Sequence, residues 1–169
     1  MKNRYFMALA IIWCSYSLVA QDTPCACCTD NHREFDFWVG TWEVTAPDGT
    51  LAGKNTIEII QDGCVLKENW TSATGKSTGV STNFFNSQTE QWEQLWLDNS
   101  GSYLKLQGSR AGNQMMLSSE TFTHTDGKQY TNRITWTANE DGTVRQMWEV
   151  LQEGEVVSVA FDGLYKKVG

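Results

Sequence analysis

Between residues 46 and 156, apolar and polar positions alternate in short bursts, and each burst is closed by a turn signal at a nearly constant interval. The signals are Pro47-Asp48-Gly49, Asp62-Gly63, Thr74-Gly75-Lys76, Asn86-Ser87, Asn99-Ser100-Gly101, Ala111-Gly112-Asn113, Asp126-Gly127, Asp141-Gly142 and Glu153-Gly154. Between them lie segments of roughly eight to twelve residues rich in Thr, Val, Ile, Trp, Phe and Tyr. Asp-Gly and related pairs favour the positive φ angles of two-residue hairpin turns, so the spacing predicts an antiparallel meander of about ten strands. A meander of that length escapes its open edges by closing into an up-and-down β-barrel, and a barrel of that size can enclose a cavity.

Expected strands fall near 41–46, 54–61, 64–72, 77–85, 91–97, 103–108, 114–121, 129–137, 143–152 and 156–168. A bulge is expected at Asp162-Gly163 inside the last of them. The stretch 31–38 (NHREFDFW) reads as a short helical or 3₁₀ entry segment, with Asp30 or Asn31 as cap and Phe35 and Trp38 turned inward. Within the strands the period is two. Ile134 and Trp136 oppose Arg133, Thr135 and Thr137, while Val144, Trp148 and Val150 oppose Arg145 and Glu149. Leu66, Glu68 and Trp70 share a face, as do Trp92, Gln94 and Trp96. Lys67 and Asn69 make the better solvent face, which turns Glu68 inward.

Composition narrows the setting. Lys2 and Arg4 precede an apolar run from Phe6 to Trp13, and Ala20 is a small residue at a plausible cleavage point. The run is short for a membrane span, so residues 1–20 read as a cleaved secretory signal. The mature chain would then be a Cys-rich segment, 21–34, and one domain, 35–169, exported to the periplasm or beyond. Losing Lys2 and Arg4 takes the formal charge from −7 to −9. Such an acidic chain has no electrostatic footprint for nucleic acid or an anionic membrane. Cys25, Cys27, Cys28 and Cys64 suggest disulfides in an exported chain, and their spacing fits no tetrahedral metal site. One of the clustered three is expected to pin the N-terminal segment to Cys64.

Nucleophile elbows, zinc-protease helices and dinucleotide fingerprints are all missing from the sequence. The chemistry that remains sits on mixed faces. Trp70, Trp96, Trp136 and Trp148 are candidate cavity walls, and Glu68 and Gln94 are candidate polar groups to orient a ligand. These six positions make a ligand-binding interior for a small apolar or amphipathic molecule the first reading. A barrel enzyme of isomerase or hydrolase type using Glu68 as acid or base is the second. A structural or protein-binding envelope domain with a filled barrel is the third. An interior space above about 300 Å³ separates the first two from the last.

A longer pattern runs His32-Arg33-x-Phe35-Asp36-Phe37-Trp38-x-Gly40-x-Trp42, then Gly63-Cys64, Glu68-x-Trp70, Trp96-x-Asp98 and Phe161-Asp162-Gly163-x-Tyr165. It resembles an exported bacterial family of lipocalin-like (calycin) proteins of unknown function, the DUF1579-like group. The resemblance spans nearly the whole mature chain and implies a calycin barrel, with no chemistry to carry over. It implies structural roles for Gly40 and Trp42, the latter stacked at the closed end on a cation that Arg145 or Lys166 would supply. Haem-binding barrels occur among calycins, but His32 and His124 are not expected over a cavity, so no cofactor is assigned.

Overall fold

All nine turn signals fall at strand junctions in the computed structural model, which describes residues 25–168. The proposed signal segment, 1–20, lies outside the described residues. A four-residue helix, α1 (Asp30–Arg33), and a 3₁₀ turn (Asp36–Trp38) lead into the first strand. The strands are β1 (Gly40–Thr45), β2 (Leu51–Ile60), β3 (Val65–Ser72), β4 (Thr78–Asn86), β5 (Gln91–Asp98) and β6 (Tyr103–Ala111). They continue with β7 (Gln114–Ser118), β8 (Phe122–Thr123), β9 (Gln129–Ala138), β10 (Val144–Gln152) and β11 (Glu155–Lys167).

Neighbours in sequence are neighbours in the sheet, and β11 pairs with β1 to close an antiparallel barrel of ten strands. The two-residue β8 is an appendage that pairs only with the start of β9. The strand expected over 114–121 stops at Ser118 for this reason: its continuation leaves the barrel wall to form the β8 arm.

The turns differ from expectation in type. At Pro47-Asp48-Gly49 the Gly49 N–H bonds Ala46 O at 2.9 Å, and Ala46 N–H bonds Thr50 O at 2.9 Å. That is a type I turn followed by a glycine at φ 83, a three-residue loop. The turns at Gly101, Gly127 and Gly142 repeat the pattern. Asp48, Asp126 and Asp141 keep negative φ and instead accept the backbone N–H two residues on, at 3.0, 2.9 and 3.0 Å. Glu153-Gly154 has both central residues at positive φ, 53 and 86, as does Asp62-Gly63, at 53 and 91.

The bulge expected at Asp162-Gly163 lies instead at Ala160 and Val157, which are skipped in the pairing of β11 with β10. Gly163 pairs regularly with Gln146. It is a glycine for space, since a Cβ there would lie 2.6 Å from the Phe161 ring and 2.8 Å from Val44.

One end of the barrel is closed by rings. Phe35 stacks on Trp38 with centroids 5.0 Å apart, and Trp92 and Trp136 meet Phe35 edge-on at 5.5 and 5.1 Å. All four are buried. Each such ring removes roughly 200 Å² from water, about 5 kcal/mol before conformational entropy is charged against it. The entry segment is therefore the barrel's floor. Thr29, not Asp30 or Asn31, occupies its N-cap, with its hydroxyl 2.7 Å from His32 Nδ1.

Two disulfides fasten this end. Cys27–Cys64 ties the N-terminal segment to the β2–β3 connection, and Cys25–Cys28 closes a small ring beside it. Arg33 strengthens the same junction by donating to the carbonyls of Cys27 and Gly63. Such bonds mark an oxidising, non-cytoplasmic environment. Among the described residues, no helix is long and apolar enough to cross a membrane.

Gly40 opens β1 at φ 143, a value that favours glycine. Trp42 is fully buried and donates its indole N–H to Trp38 O at 2.9 Å. Its cation is Lys167, 5.1 Å from the ring centroid, rather than Arg145 or Lys166. Lys167 is the direct cross-strand partner of Trp42 and so shares its face. Lys166 faces the other way beside Glu43, and Arg145 is engaged by Asp162 at 2.6 Å.

Candidate ligand cavity

Period-two alternation on a closed barrel stacks the inward residues in layers. The floor layer takes Leu66, Trp92, Trp136 and Val144. Two residues further along each strand come Glu68, Gln94, Ile134 and Gln146, joined by Tyr165 of β11. Two further still are Trp70, Trp96, Asn132 and Trp148, with Phe161 beside them. A cavity of about 380 Å³ opens above the floor, walled by the two upper layers.

The middle layer is a continuous hydrogen-bonded belt. Gln94 Nε2 donates to Asn83 Oδ1 at 2.7 Å, and Asn83 Nδ2 donates to Ser81 Oγ at 2.9 Å. Ser81 Oγ donates to Glu68 Oε2 at 2.6 Å, while Asn55 Nδ2 donates to Glu68 Oε1 at 2.6 Å. Asn55 Nδ2 also reaches the Tyr165 hydroxyl at 3.3 Å, and that hydroxyl donates to Gln146 Oε1. Six strands contribute, each through a residue whose parity turns it inward. The order follows from register, because Glu68 lies opposite Ser81 and Asn83 opposite Gln94.

Glu68 is 4 % exposed. Burial raises its pKa to about 7, and the hydrogen bonds from Ser81 and Asn55 pull back only part of that rise. Burial first, and the neighbouring Glu68 second, holds the Tyr165 hydroxyl well above the usual tyrosine value, so it stays protonated. Asn55 Oδ1 is buried without a hydrogen-bond partner.

The upper layer is aromatic. Trp70 meets Phe161 edge-on at 5.9 Å, and Trp148 donates its indole N–H to Asn132 Oδ1 at 2.8 Å. Glycines keep these rings against the wall. A Cβ on Gly79 would lie 2.1 Å from the Trp96 ring, and one on Gly53 would lie 2.6 Å from Trp70. Neither glycine needs an unusual φ; an indole lies across each backbone, and at Gly53 the Thr71 carbonyl oxygen, 2.4 Å from a Cβ, leaves no room either. Rings laid back on the sheet leave the centre open.

Glu68, Trp70, Gln94, Trp96 and Trp148 all line the cavity. Trp136 does not, because it belongs to the ring floor, 5.3 Å from Trp38. The reason is depth along β9: Asn132 and Ile134 reach the cavity, and Trp136 lies two residues lower. His32 packs edge-on to Phe85 at 5.2 Å and His124 sits in the β8–β9 turn, so both are away from the cavity. Sequence reasoning missed Asn55, Ser81, Asn83, Gln146, Phe161 and Tyr165. Strand parity is a signal for Tyr165 and Phe161, which the distribution of tryptophans by itself does not reveal.

Fold and site together define a closed antiparallel barrel with a walled internal cavity over a polar belt. No family model matches the chain, and no curated protein matches it.

Proposed function

We propose that this chain is an exported, lipocalin-like binding protein that holds one small amphipathic molecule inside its barrel. The observation that carries this reading is the cavity of about 380 Å³, whose aromatic upper walls stand over the polar belt. A barrel filled for stability alone has no reason to keep a carboxylate in its interior, because burying one without a cation costs several kcal/mol. Apolar walls with a few fixed polar groups are what a small-molecule site needs. Export is supported by the two disulfides and by the basic and apolar pattern of residues 1–20.

Native mass spectrometry of protein purified from its own cells tests the binding. The expected spectrum contains a species heavier than the disulfide-bonded chain, and mild collisional activation should release the added mass. A spectrum of the bare chain, together with no response of tryptophan fluorescence to amphipathic compounds of this size, would overturn the reading.

A further inference from the structure

The ionisable groups around the cavity are all of one kind. Glu68 and Asp98 are carboxylic acids, Tyr103 and Tyr165 are phenols, and the lining contains no lysine, arginine or histidine. None of the ion pairs among the described residues includes Glu68. Its two protein partners, Asn55 and Ser81, are neutral donors that take one bond on each oxygen. A carboxylate offers about four lone-pair directions, so acceptor capacity remains on both oxygens. The Tyr165 hydroxyl cannot use it, being committed to Gln146. Gln94 likewise donates with its nitrogen to Asn83, which leaves its other polar atom, an acceptor oxygen.

We propose that the cavity binds a protonated organic amine, an aryl or alkyl body carrying one ammonium group that docks on the carboxylate of Glu68. This rests on the reading of the barrel as a small-molecule container and names the head group. Three features point to a cation. The buried acid has no counter-charge of its own, and an ammonium supplies both the charge and the donors its oxygens can still accept. The walls above it are Trp70, Trp96, Trp148 and Phe161, whose ring faces attract cations. At the rim, a hydrogen bond from Ser100 above all holds Asp98 below the usual carboxylate value, so the entrance is anionic. An anionic amphiphile such as a fatty acid would meet two acids and no cation.

Docking has a proton balance. Without ligand near neutral pH, Glu68 holds its proton for much of the time, its pKa being about 7. Binding of the ammonium form turns the acid into a carboxylate, and the proton leaves to solvent. Asn55 and Ser81 do not titrate, Tyr165 stays protonated and Asp98 stays ionised, so a change between about pH 6 and 8 reports Glu68.

The test is isothermal titration calorimetry of the full disulfide-bonded protein with phenylbutylamine, phenylbutanol and phenylbutanoate, three ligands of one shape and different charge. At about pH 8 the amine is expected to bind at least about tenfold more tightly than the alcohol, and the carboxylate most weakly. Amine affinity should rise several-fold from about pH 6 to 8, with proton release at the lower pH and none at the higher. Glu68→Gln should bring the amine to the level of the alcohol, with circular dichroism and the thermal midpoint reporting that the variant is folded. The pH series on the parent needs no variant. An amine that binds no better than the alcohol, or a Glu68→Gln variant that keeps the preference, would overturn the amine while alcohol binding leaves the container reading standing. Binding by none of the three would overturn both.

Discussion

Glu68 couples the interior to pH. Its native pKa of about 7 lies above the ordinary 4.5, so between these values the folded chain keeps a proton that the unfolded chain has released. The contribution of this residue to stability is therefore greatest below about pH 4.5 and falls as pH rises to 7, by roughly 3 kcal/mol at most. Glu68→Gln keeps the shape and removes the ionisation. Urea denaturation at about pH 5 and pH 8 should find the two proteins similar at the lower pH and the variant more stable at the higher. Equal pH slopes for parent and variant would mean that the belt does not hold the acid as described.

The entry segment is an element that folds only in company. Four helical residues and one 3₁₀ turn are too short to persist alone, and what fixes them is the ring stack of Phe35 and Trp38 against Trp92 and Trp136. The indole nitrogens of Trp38 and Trp136 are buried without acceptors among the described residues, so packing rather than hydrogen bonding holds them. The two disulfides should contribute unequally to this anchorage. Closing a separation of 37 residues stabilises by about 4 kcal/mol in the chain-entropy model, against about 2 for a separation of 3. Cys27→Ser with Cys64→Ser should lower the thermal midpoint more than Cys25→Ser with Cys28→Ser, as read by differential scanning calorimetry.

For the molecule as a whole, the decisive quantity is the space left in the middle. That space exists because large rings lie over glycines. Gly79→Ala should push Trp96 off the wall, costing about 1–3 kcal/mol and narrowing the cavity. In a Trp96→Leu background the same substitution should be close to neutral, since the clash partner is gone. Thermal denaturation of the four proteins of this cycle measures the coupling, and additivity would disprove the close approach.

Turn chemistry and alternation by themselves determined the all-β class, the positions of the nine turns, the ten barrel strands and the inward parity of Glu68. These are local properties, written in which residues tolerate a positive φ and which side of a strand is apolar. Tertiary structure decided everything that depends on depth along a strand or on a partner far away in sequence. Trp136 and Trp148 have the same parity and the same chemistry, yet one is floor and the other wall, because the entry segment rises into only one end of the barrel. Lys167 rather than Lys166 meets Trp42 because the register of β11 against β1 is set by barrel closure. The belt that holds Glu68 joins residues from Asn55 to Tyr165, 110 positions apart, and only a closed sheet brings them within hydrogen-bond reach.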